Sequence, residues 1–428
     1  MMSGTSARML GQGAQRGATS GTASGGSFLM VVTGLAALTS NWSAVRVGTF
    51  NLSDLFVIVG LLLLPLSPGA TKNLPGLRSW MFLPALIGLL LAARDVVVVG
   101  RPFTAIEELG AGLSPAQMLA RVVLSTVCVA VLSVLVIGRD VARGRRILRW
   151  WIGGVVSSSV FALLQAIGTV PEGTLLAQVN GTDRYAGLSS HPNALAQTIV
   201  LAIPVVLYYL RASMTRNRLV AGLGFVLLIA ALFQTGSRAG LLIGFAVVVV
   251  SIVHHASRTG GLRWVLPIVI LATAAAVVFG PALIRGTRFV QSAGTVQSNV
   301  GRTQAIGDGW ELFVAHPVLG AGLGSWVGEL APLVLLASGG VLFLVAYSTF
   351  VAAPILILWR SRQIDLAAVL LISAVAVVLL GLLNNGFTER YTFWPVLIGA
   401  SLFLGPFAPP SPSDRKDDRS HTGGNLLN

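Results

Sequence analysis

The sequence predicts an all-α, polytopic membrane protein: a helix bundle of about twelve transmembrane helices with a small extracytoplasmic loop subdomain. The first observation is composition. Hydrophobic residues make up 54% of the 428 positions and charged residues only 10%, whereas a soluble domain of this length needs a far more charged surface. The second observation is that the apolar residues fall into runs of membrane-spanning length separated by short polar segments.

The apolar runs predict the order of the spanning helices. The run 331–358 is long enough to tilt or to contain a break at Gly339-Gly340, and the runs 219–235 and 239–254 leave room only for a tight turn. Six tryptophans near run ends are expected to anchor at the membrane interface: Trp80, Trp150, Trp151, Trp264, Trp359 and Trp394. The predicted spans are 27–46, 52–67, 79–93, 119–137, 148–170, 194–210, 219–235, 239–254, 264–284, 331–358, 364–383 and 391–407.

The same pattern predicts the domain organisation. Residues 27–407 are expected to form the transmembrane domain, between a Gly/Ser/Ala/Thr-rich disordered tail at 1–26 and a charged disordered tail at 408–428. The expected extracytoplasmic loops lie near residues 94–118, 171–193 and 285–330.

Positive charge predicts the orientation. Most of the 29 Lys and Arg residues fall in alternate connections if the N-terminus is inside, so both termini are predicted to be cytoplasmic and the location to be the cytoplasmic membrane. The net charge of +14 then faces anionic lipid headgroups. It therefore does not indicate a nucleic-acid partner.

The sequence shows little chemistry inside the spans. Cys128 is the single cysteine and falls in an apolar run, so no disulfide framework and no thiol or metal cluster is expected. The span interiors are nearly free of ionisable groups, which is unlike the carboxylate relays of ion-coupled transporters. The polar chemistry collects in the outer segments.

The outer segment that begins at Asn180 leads into the apolar run starting at Ala194. Asn193 is placed to cap that helix. Arg184 lies near the helix N-terminus, where free backbone amides and the helix dipole favour an anion. A capped loop with an ordinary surface arginine is the alternative interpretation.

A second arginine, Arg238, stands between two apolar runs and is flanked by Gly236 and Gly240, which permit close backbone approach. Its planar guanidinium can hold two phosphate oxygens at once. A surface arginine that only defines the turn is the alternative.

The long outer loop contains a predicted amphipathic helix. From Arg302 onward, Ile306, Trp310, Phe313 and Val314 share one helical face, which predicts a helix along the membrane interface or a lid packed on the bundle. The glycines that follow lack the βαβ context of a nucleotide-binding motif, so a tight loop before the next span is the preferred interpretation.

Taken in order, these outer motifs resemble the signature of the O-antigen ligase and O-antigen polymerase superfamily. The residues that carry the resemblance are Arg184…Gly187…His191-Pro-Asn193, then Gly236-Ser-Arg238-Ala-Gly240, then Arg302…Trp310…Phe313…His316-Pro…Gly320-Ala-Gly322-Leu-Gly324. The resemblance implies a metal-independent glycosyltransferase without a cofactor, acting in surface or exopolysaccharide biosynthesis. Its implied partners are an undecaprenyl-diphosphate-linked glycan, a glycan or lipid acceptor, the lipid bilayer and other polysaccharide-assembly proteins.

The resemblance also implies roles for particular residues. Arg184, Arg238 and Arg302 match the family's arginines and are expected to contact the substrate diphosphate. Arg285 and Arg288 are weaker candidates, since they could equally anchor a span end to lipid headgroups.

The chain departs from the family where a catalytic base is expected. Family ligases usually carry a histidine between the glycine-rich stretch and the next helix, and this chain has none there. The candidate bases are Glu329, which is nearest, and its rivals His316 and His191.

Two alternative functions remain open at this point. A flippase for the same lipid-linked glycan would need charged residues lining a cavity at membrane depth, which the spans do not show. A catalytically inactive scaffold of a polysaccharide-assembly complex would explain the missing histidine but not the three outer arginines.

Overall fold

The structure of the protein is a computed structural model that describes residues 23–47, 50–67, 70–100, 114–170, 184–212, 215–259 and 293–404. The predicted span 264–284, Arg285, Arg288 and the C-terminal tail lie outside these residues, as does most of the N-terminal tail. The described helices are α1 (Ala23–Thr39), α2 (Leu52–Leu63), α3 (Leu83–Val97), α4 (Pro115–Ile137), α5 (Val141–Ala166), α6 (Pro192–Ala212), α7 (Thr215–Gln234), α8 (Arg238–Thr259), α9 (Ala293–Ala315), α10 (Ala331–Arg360), α11 (Asp365–Gly381) and α12 (Arg390–Phe403).

The predicted all-α class is confirmed over the described residues. Besides the helices they contain short 3-10 turns at Leu64–Leu66, Thr71–Gly76 and Ser79–Met81, and one antiparallel pair of two-residue strands, β1 (Arg46–Val47) and β2 (Phe50–Asn51). Five helices, α4, α5, α6, α8 and α10, are long and apolar enough to cross a membrane. The twelve-span topology stays a prediction.

Several helix boundaries differ from the prediction. α5 begins at Val141 and not at 148 as predicted. The arginines of its first turns lower the hydropathy on which the prediction relied, but they do not oppose a helix. The expected loop 94–118 is shorter at both ends, since α3 continues to Val97 and α4 begins at Pro115. There Ser114 and Gln117 form a capping box, which the hydropathy profile does not register.

The tryptophan prediction is wrong for two of the six residues; Trp80 and Trp150 are half-buried, and Trp264 lies outside the described residues. Trp359 is 54% exposed, as an interface anchor should be, but Trp151 and Trp394 are 0% exposed and belong to the core. A position near the end of a run therefore does not distinguish an anchor from a core residue, because the direction of the ring depends on the neighbouring helices.

The predicted break in α10 is confirmed. Gly340 has φ 63° and ψ −164°, so the helix is interrupted there. The segment that precedes α10 folds back onto this break and hydrogen-bonds to its backbone on both sides. The four bonds run from Ala321 N to Ala337 O, Gly322 N to Ser338 O, Val341 N to Pro317 O and Leu342 N to Val318 O.

An ion pair inside the protein joins the first and last parts of the bundle. Arg390, the first residue of α12, places Nε 2.6 Å from Oδ1 of Asp54 in the first turn of α2, and both side chains are about 5% exposed or less. Asp54 also accepts the backbone N–H of Asn51. Removing one partner would leave the other charge buried without compensation.

We therefore expect Arg390→Gln to destabilise the protein by about 3–5 kcal/mol, because Asp54 loses its counter-charge away from water. The measurement is the melting temperature of the purified protein in one detergent. Arg143→Gln is the matched control, since Arg143 pairs with Asp140 where both side chains are 53% and 45% exposed, and it should cost less than about 1 kcal/mol. Equal melting temperatures for the two variants would contradict the account.

Candidate functional site

Arg184 connects three chain segments at one end of the bundle. Its Nε donates to the backbone oxygen of Thr235, 2.8 Å away, and its NH2 group donates to Oδ1 of Asn193 at 2.6 Å. The side chain also lies over Gly236, where an added Cβ would come within 3.2 Å of its Cγ. Arg184 is therefore held in one place by the loop before α6, the turn before α8 and the first turn of α6.

The start of α6 differs from the prediction. The helix begins at Pro192, and Nδ1 of His191 accepts the N–H of Asn193 at 3.1 Å, so His191 and not Asn193 caps the helix. Proline at the first helical position suits this start because its missing N–H would have no partner there. The amide of Asn193 is used by Arg184 instead.

The tight turn expected between α7 and α8 is confirmed. Ser237 precedes Arg238 and accepts the N–H of Gly240 through its hydroxyl, at 3.3 Å, which caps α8. An added Cβ at Gly240 would lie 2.6 Å from Cβ of Ala196, so α8 approaches α6 closely at this position. Arg238 is half-buried in the first turn of α8, beside the turn that Arg184 binds.

Arg302 and Glu329, predicted as a diphosphate ligand and a base, form an ion pair. Arg302 lies on α9, and Glu329 lies two residues before α10. The Arg302 side chain is 34% exposed and the Glu329 side chain 49%. The pair is reachable from solvent and costs little to open.

His316, the other candidate base, directly follows α9 and is exposed. Its backbone oxygen accepts the N–H of Gly320 at 2.9 Å. Gly320 has φ 65°, and an added Cβ there would collide with the backbone of Gly339. The glycine run is thus a tight loop packed on the α10 break, as its sequence context indicated.

The apolar stripe of α9 faces outward. Ile306 is 43%, Trp310 54% and Val314 58% exposed, so this stripe does not pack on the described part of the bundle. On the flank of this stripe Gly309 lies against Trp326, whose ring would be 2.8 Å from a Cβ added there. Of the two sequence-based interpretations, these exposures favour the interfacial helix over the packed lid.

An apolar groove of about 310 Å³ runs between α10 and α11 and reaches α6. Val378 and Leu382 on its rim are 40% and 52% exposed, so the groove opens to the surroundings of the bundle. Its few polar side chains include Gln197, Tyr347 and Thr392.

Two residues of the groove wall are close in sequence to Arg184's partner and to the Arg302–Glu329 pair. Gln197 lines the groove and stands one helical turn after Asn193, the partner of Arg184. Ala331, which follows Glu329 by two residues, lines the same groove. The groove wall is therefore adjacent in sequence to the contacts of Arg184 and of Arg302–Glu329, and none of these three side chains lines the groove itself.

Sequence reasoning missed a buried polar pair in this groove wall. The Tyr391 hydroxyl donates to Oε1 of Gln197 at 2.8 Å, and the Tyr347 hydroxyl donates to the backbone oxygen of Phe387 at 3.1 Å. Gln197 is a buried amide among mainly apolar residues of α6, and such an amide is a sign of a polar partner.

The residue types that usually bind metal ions are not clustered in the described part of the chain. Across the described ranges, no group of three or more His, Cys, Asp or Glu side chains is placed to hold a metal ion.

Part of the chain matches a known protein family. Residues 223–332 match the family model described as O-antigen ligase, which is about a quarter of the chain and includes Arg238, Arg302, His316 and Glu329. The resemblance predicted from the motifs is confirmed over this range. No curated protein matches the chain at a significant level of similarity.

The helices and the family match together define the class of protein. By its apolar helices the chain is a multi-pass membrane protein, and its residues 223–332 are similar to the O-antigen ligase family, whose members act on glycans.

We expect Arg184→Lys to loosen the turn before α8, because one ammonium group cannot span both Thr235 O and Asn193 Oδ1 as the guanidinium does. Losing a hydrogen bond to a charged donor should raise local opening by about tenfold or more. The measurement is amide hydrogen exchange of Tyr185, which donates to Gln234 O. Arg302→Lys is the control and should leave this amide unchanged; unchanged exchange in Arg184→Lys would refute the connecting role.

Proposed function

We propose that the protein transfers a glycan from undecaprenyl diphosphate to a hydroxyl of a glycan or lipid acceptor, on the outer face of the cytoplasmic membrane. The reaction would need no metal and no cofactor, and would serve surface or exopolysaccharide biosynthesis as a polymerase or a ligase. The O-antigen ligase match over residues 223–332 supports the reaction class.

One observation carries the proposal: an apolar groove is lined by Gln197, one helical turn after the Asn193 that binds Arg184, and by Ala331, two residues after the Glu329 that pairs with Arg302. A polyprenyl diphosphate is a long apolar chain with an anionic head. The groove between α10 and α11 suits part of such a chain, since it is apolar and open at Val378 and Leu382. The candidate arginines suit the diphosphate head of the lipid, because a guanidinium group can hold two phosphate oxygens at once.

The roles of the arginines follow from their surroundings. Arg184 is already bound by Thr235 O and Asn193 Oδ1, so we assign it mainly to shaping the site and adding positive charge. Arg238, at the first turn of α8, combines its charge with the helix N-terminus. Arg302 lies on α9, and its ion-pair partner is the exposed carboxylate of Glu329. Because exposed ion pairs contribute little stability, Arg302 can turn from Glu329 to a diphosphate at small cost.

The chemical step is a displacement at the anomeric carbon. The acceptor oxygen forms a bond to this carbon, while the bond from the carbon to the diphosphate oxygen breaks and the diphosphate leaves with the electron pair. Negative charge grows on the leaving group, and arginines already in place stabilise it in the transition state. The acceptor hydroxyl gives its proton to a general base.

Glu329 is the base that the geometry favours. In the free protein its carboxylate is engaged by Arg302. When a diphosphate draws Arg302 toward itself, the carboxylate becomes available to accept a proton from the acceptor hydroxyl. Donor binding would thus prepare the base, and the base would stay occupied while no donor is present.

The two histidines fit this role less well. Nδ1 of His191 accepts a backbone N–H, so in the neutral ring the proton sits on Nε2, which then donates and cannot accept. His316 is exposed at the end of α9, and its backbone serves the glycine loop. Both remain rivals that the experiment below distinguishes from Glu329.

The test is donor turnover by the purified protein in lipid nanodiscs, supplied with cell-extracted undecaprenyl-diphosphate glycans and followed by release of free undecaprenyl diphosphate. We expect Arg238→Ala and Arg302→Ala to lower kcat about 10²–10³-fold by removing transition-state stabilisation. Glu329→Gln should lower it about 10²–10⁴-fold by removing the base.

Glu311→Gln is the matched control, because Glu311 is an exposed carboxylate on α9, and it should retain full turnover. Full turnover in Glu329→Gln, with a loss in His316→Gln or His191→Gln, would assign the base to that histidine. No release by the native protein, with donor still bound in an arginine-dependent way, would replace the transferase with a flippase or an inactive scaffold.

The groove is tested separately. Ser348 lines it, and the adjacent Thr349 is exposed on α10 but does not line it. Filling the groove with Ser348→Phe should raise the KM for the donor about tenfold or more while kcat changes less, since the lost binding is shared by substrate and transition state. Thr349→Phe should behave as the native protein. Equal KM values for the two variants would show that the groove does not hold the donor.

A further inference from the structure

A second and larger groove lies at the opposite end of α6. It has a volume of about 710 Å³ and is bounded by α5, α6 and α7. Its lining residue Tyr209 stands sixteen residues after Asn193 on α6, which corresponds to about 24 Å along the helix axis. The groove is therefore separate from the candidate transferase site.

The walls of this groove are apolar along most of their length. On α5 they include Ile152 and Val156, and on α7 Val220 and Leu223, which are 67% and 63% exposed. Two glycines, Gly153 and Gly224, widen it, because an added Cβ at either would meet its nearest atom only at 3.9 or 3.8 Å. The space would accept a hydrocarbon chain without rearrangement of the backbone.

The mouth of the groove is basic. Arg145 and Arg149 lie one turn apart on α5 and both line it. Tyr208 accepts a hydrogen bond from NH2 of Arg145 at 2.8 Å, and the hydroxyl of Tyr209 donates to the backbone oxygen of Arg145 at 3.0 Å. Both arginines are exposed, and α5 contributes no acidic side chain between Val141 and Ala166.

An apolar channel with two arginines at its mouth matches one kind of molecule in a bilayer. An anionic phospholipid has acyl chains for the walls and a phosphate for the guanidinium groups. Basic pockets between helices on the cytoplasmic side are known to bind such headgroups, and the mouth lies at the end of the bundle that positive charge predicts to be cytoplasmic. A neutral lipid would leave the two arginines without a counter-charge.

We propose that the groove between α5, α6 and α7 is a binding site for one anionic phospholipid of the inner leaflet. The phosphate is bound by Arg145 and Arg149, and an acyl chain lies along α5 and α7 past Gly153 and Gly224. The site is independent of the proposed transferase activity.

The test is native mass spectrometry of the full chain in detergent, titrated with phosphatidylglycerol or with phosphatidylcholine of the same acyl chains. Each arginine near an anionic lipid contributes roughly fivefold in affinity. We therefore expect the native protein to prefer the first phosphatidylglycerol by about 25-fold, and Arg145→Gln/Arg149→Gln to bind both lipids alike.

Gly224→Leu fills the groove and should weaken the first binding of both lipids at least tenfold. Gly222→Leu is the matched control on the same helix, since Gly222 does not line the groove and an added Cβ there meets Leu210 at 3.6 Å; it should bind as the native protein does. Glycine replacement in a helix favours folding, so loss of structure is not expected.

Five outcomes would overturn the proposal. The native protein could bind both lipids equally, or the double arginine variant could keep the preference, or Gly224→Leu could bind as well as Gly222→Leu. A dimer that Gly224→Leu dissociates would show that a second copy of the chain occupies the groove. Displacement of the lipid by inorganic phosphate alone would identify a phosphate site without a lipid role.

Discussion

The end of the bundle that contains Arg302 and Glu329 depends on backbone hydrogen bonds made across the break in α10. A helix interrupted in an apolar environment exposes amide and carbonyl groups that water cannot reach, so other protein groups must satisfy them. Residues 317–322 supply four such bonds on both sides of Gly340. Because Gly320 and Gly340 approach the opposite backbone too closely for a Cβ, this contact needs glycine at both positions. The same contact sets where α9 ends and where the chain carrying Glu329 enters α10.

A buried carboxylate anchors the same loop from another side. Asp95 of α3 is 1% exposed, and its Oδ2 accepts the N–H of Leu323 at 2.8 Å, while the neighbouring Arg94 donates to the backbone oxygen of Gly320 at 3.0 Å. Arg184 performs a similar task for the turn before α8. Charged side chains at this end of the bundle therefore serve first to hold irregular backbone in place. Only those that keep exposed surface, such as Arg302 and Glu329, remain available to a substrate.

Local patterns were sufficient for much of the fold. Apart from α9, of which helical periodicity predicted only the part from Arg302 onward, hydropathy located the described helices, the turn between α7 and α8 and the break in α10, because each depends on residues close together in the chain. It was less accurate at helix ends. The arginines in the first turns of α5 lower the hydropathy there although the segment is helical. The capping box before α4 starts a helix without raising the hydropathy. The cap of α6 was misassigned because Asn193 is taken by Arg184, which precedes it by nine residues and reaches it only in the folded loop.

The sequence by itself determined the membrane class, the helical architecture, the family resemblance and the residue types available for chemistry, since these follow from composition and from ordered local motifs. Only the tertiary structure decided which of those residues meet. Asp54 and Arg390 are separated by most of the chain yet form a buried ion pair, and Gln197 bonds to Tyr391 in the wall of the groove. The pairing of Arg302 with Glu329 likewise depends on how helices pack. Packing is a property of surfaces from several helices at once, and no single segment of sequence contains it.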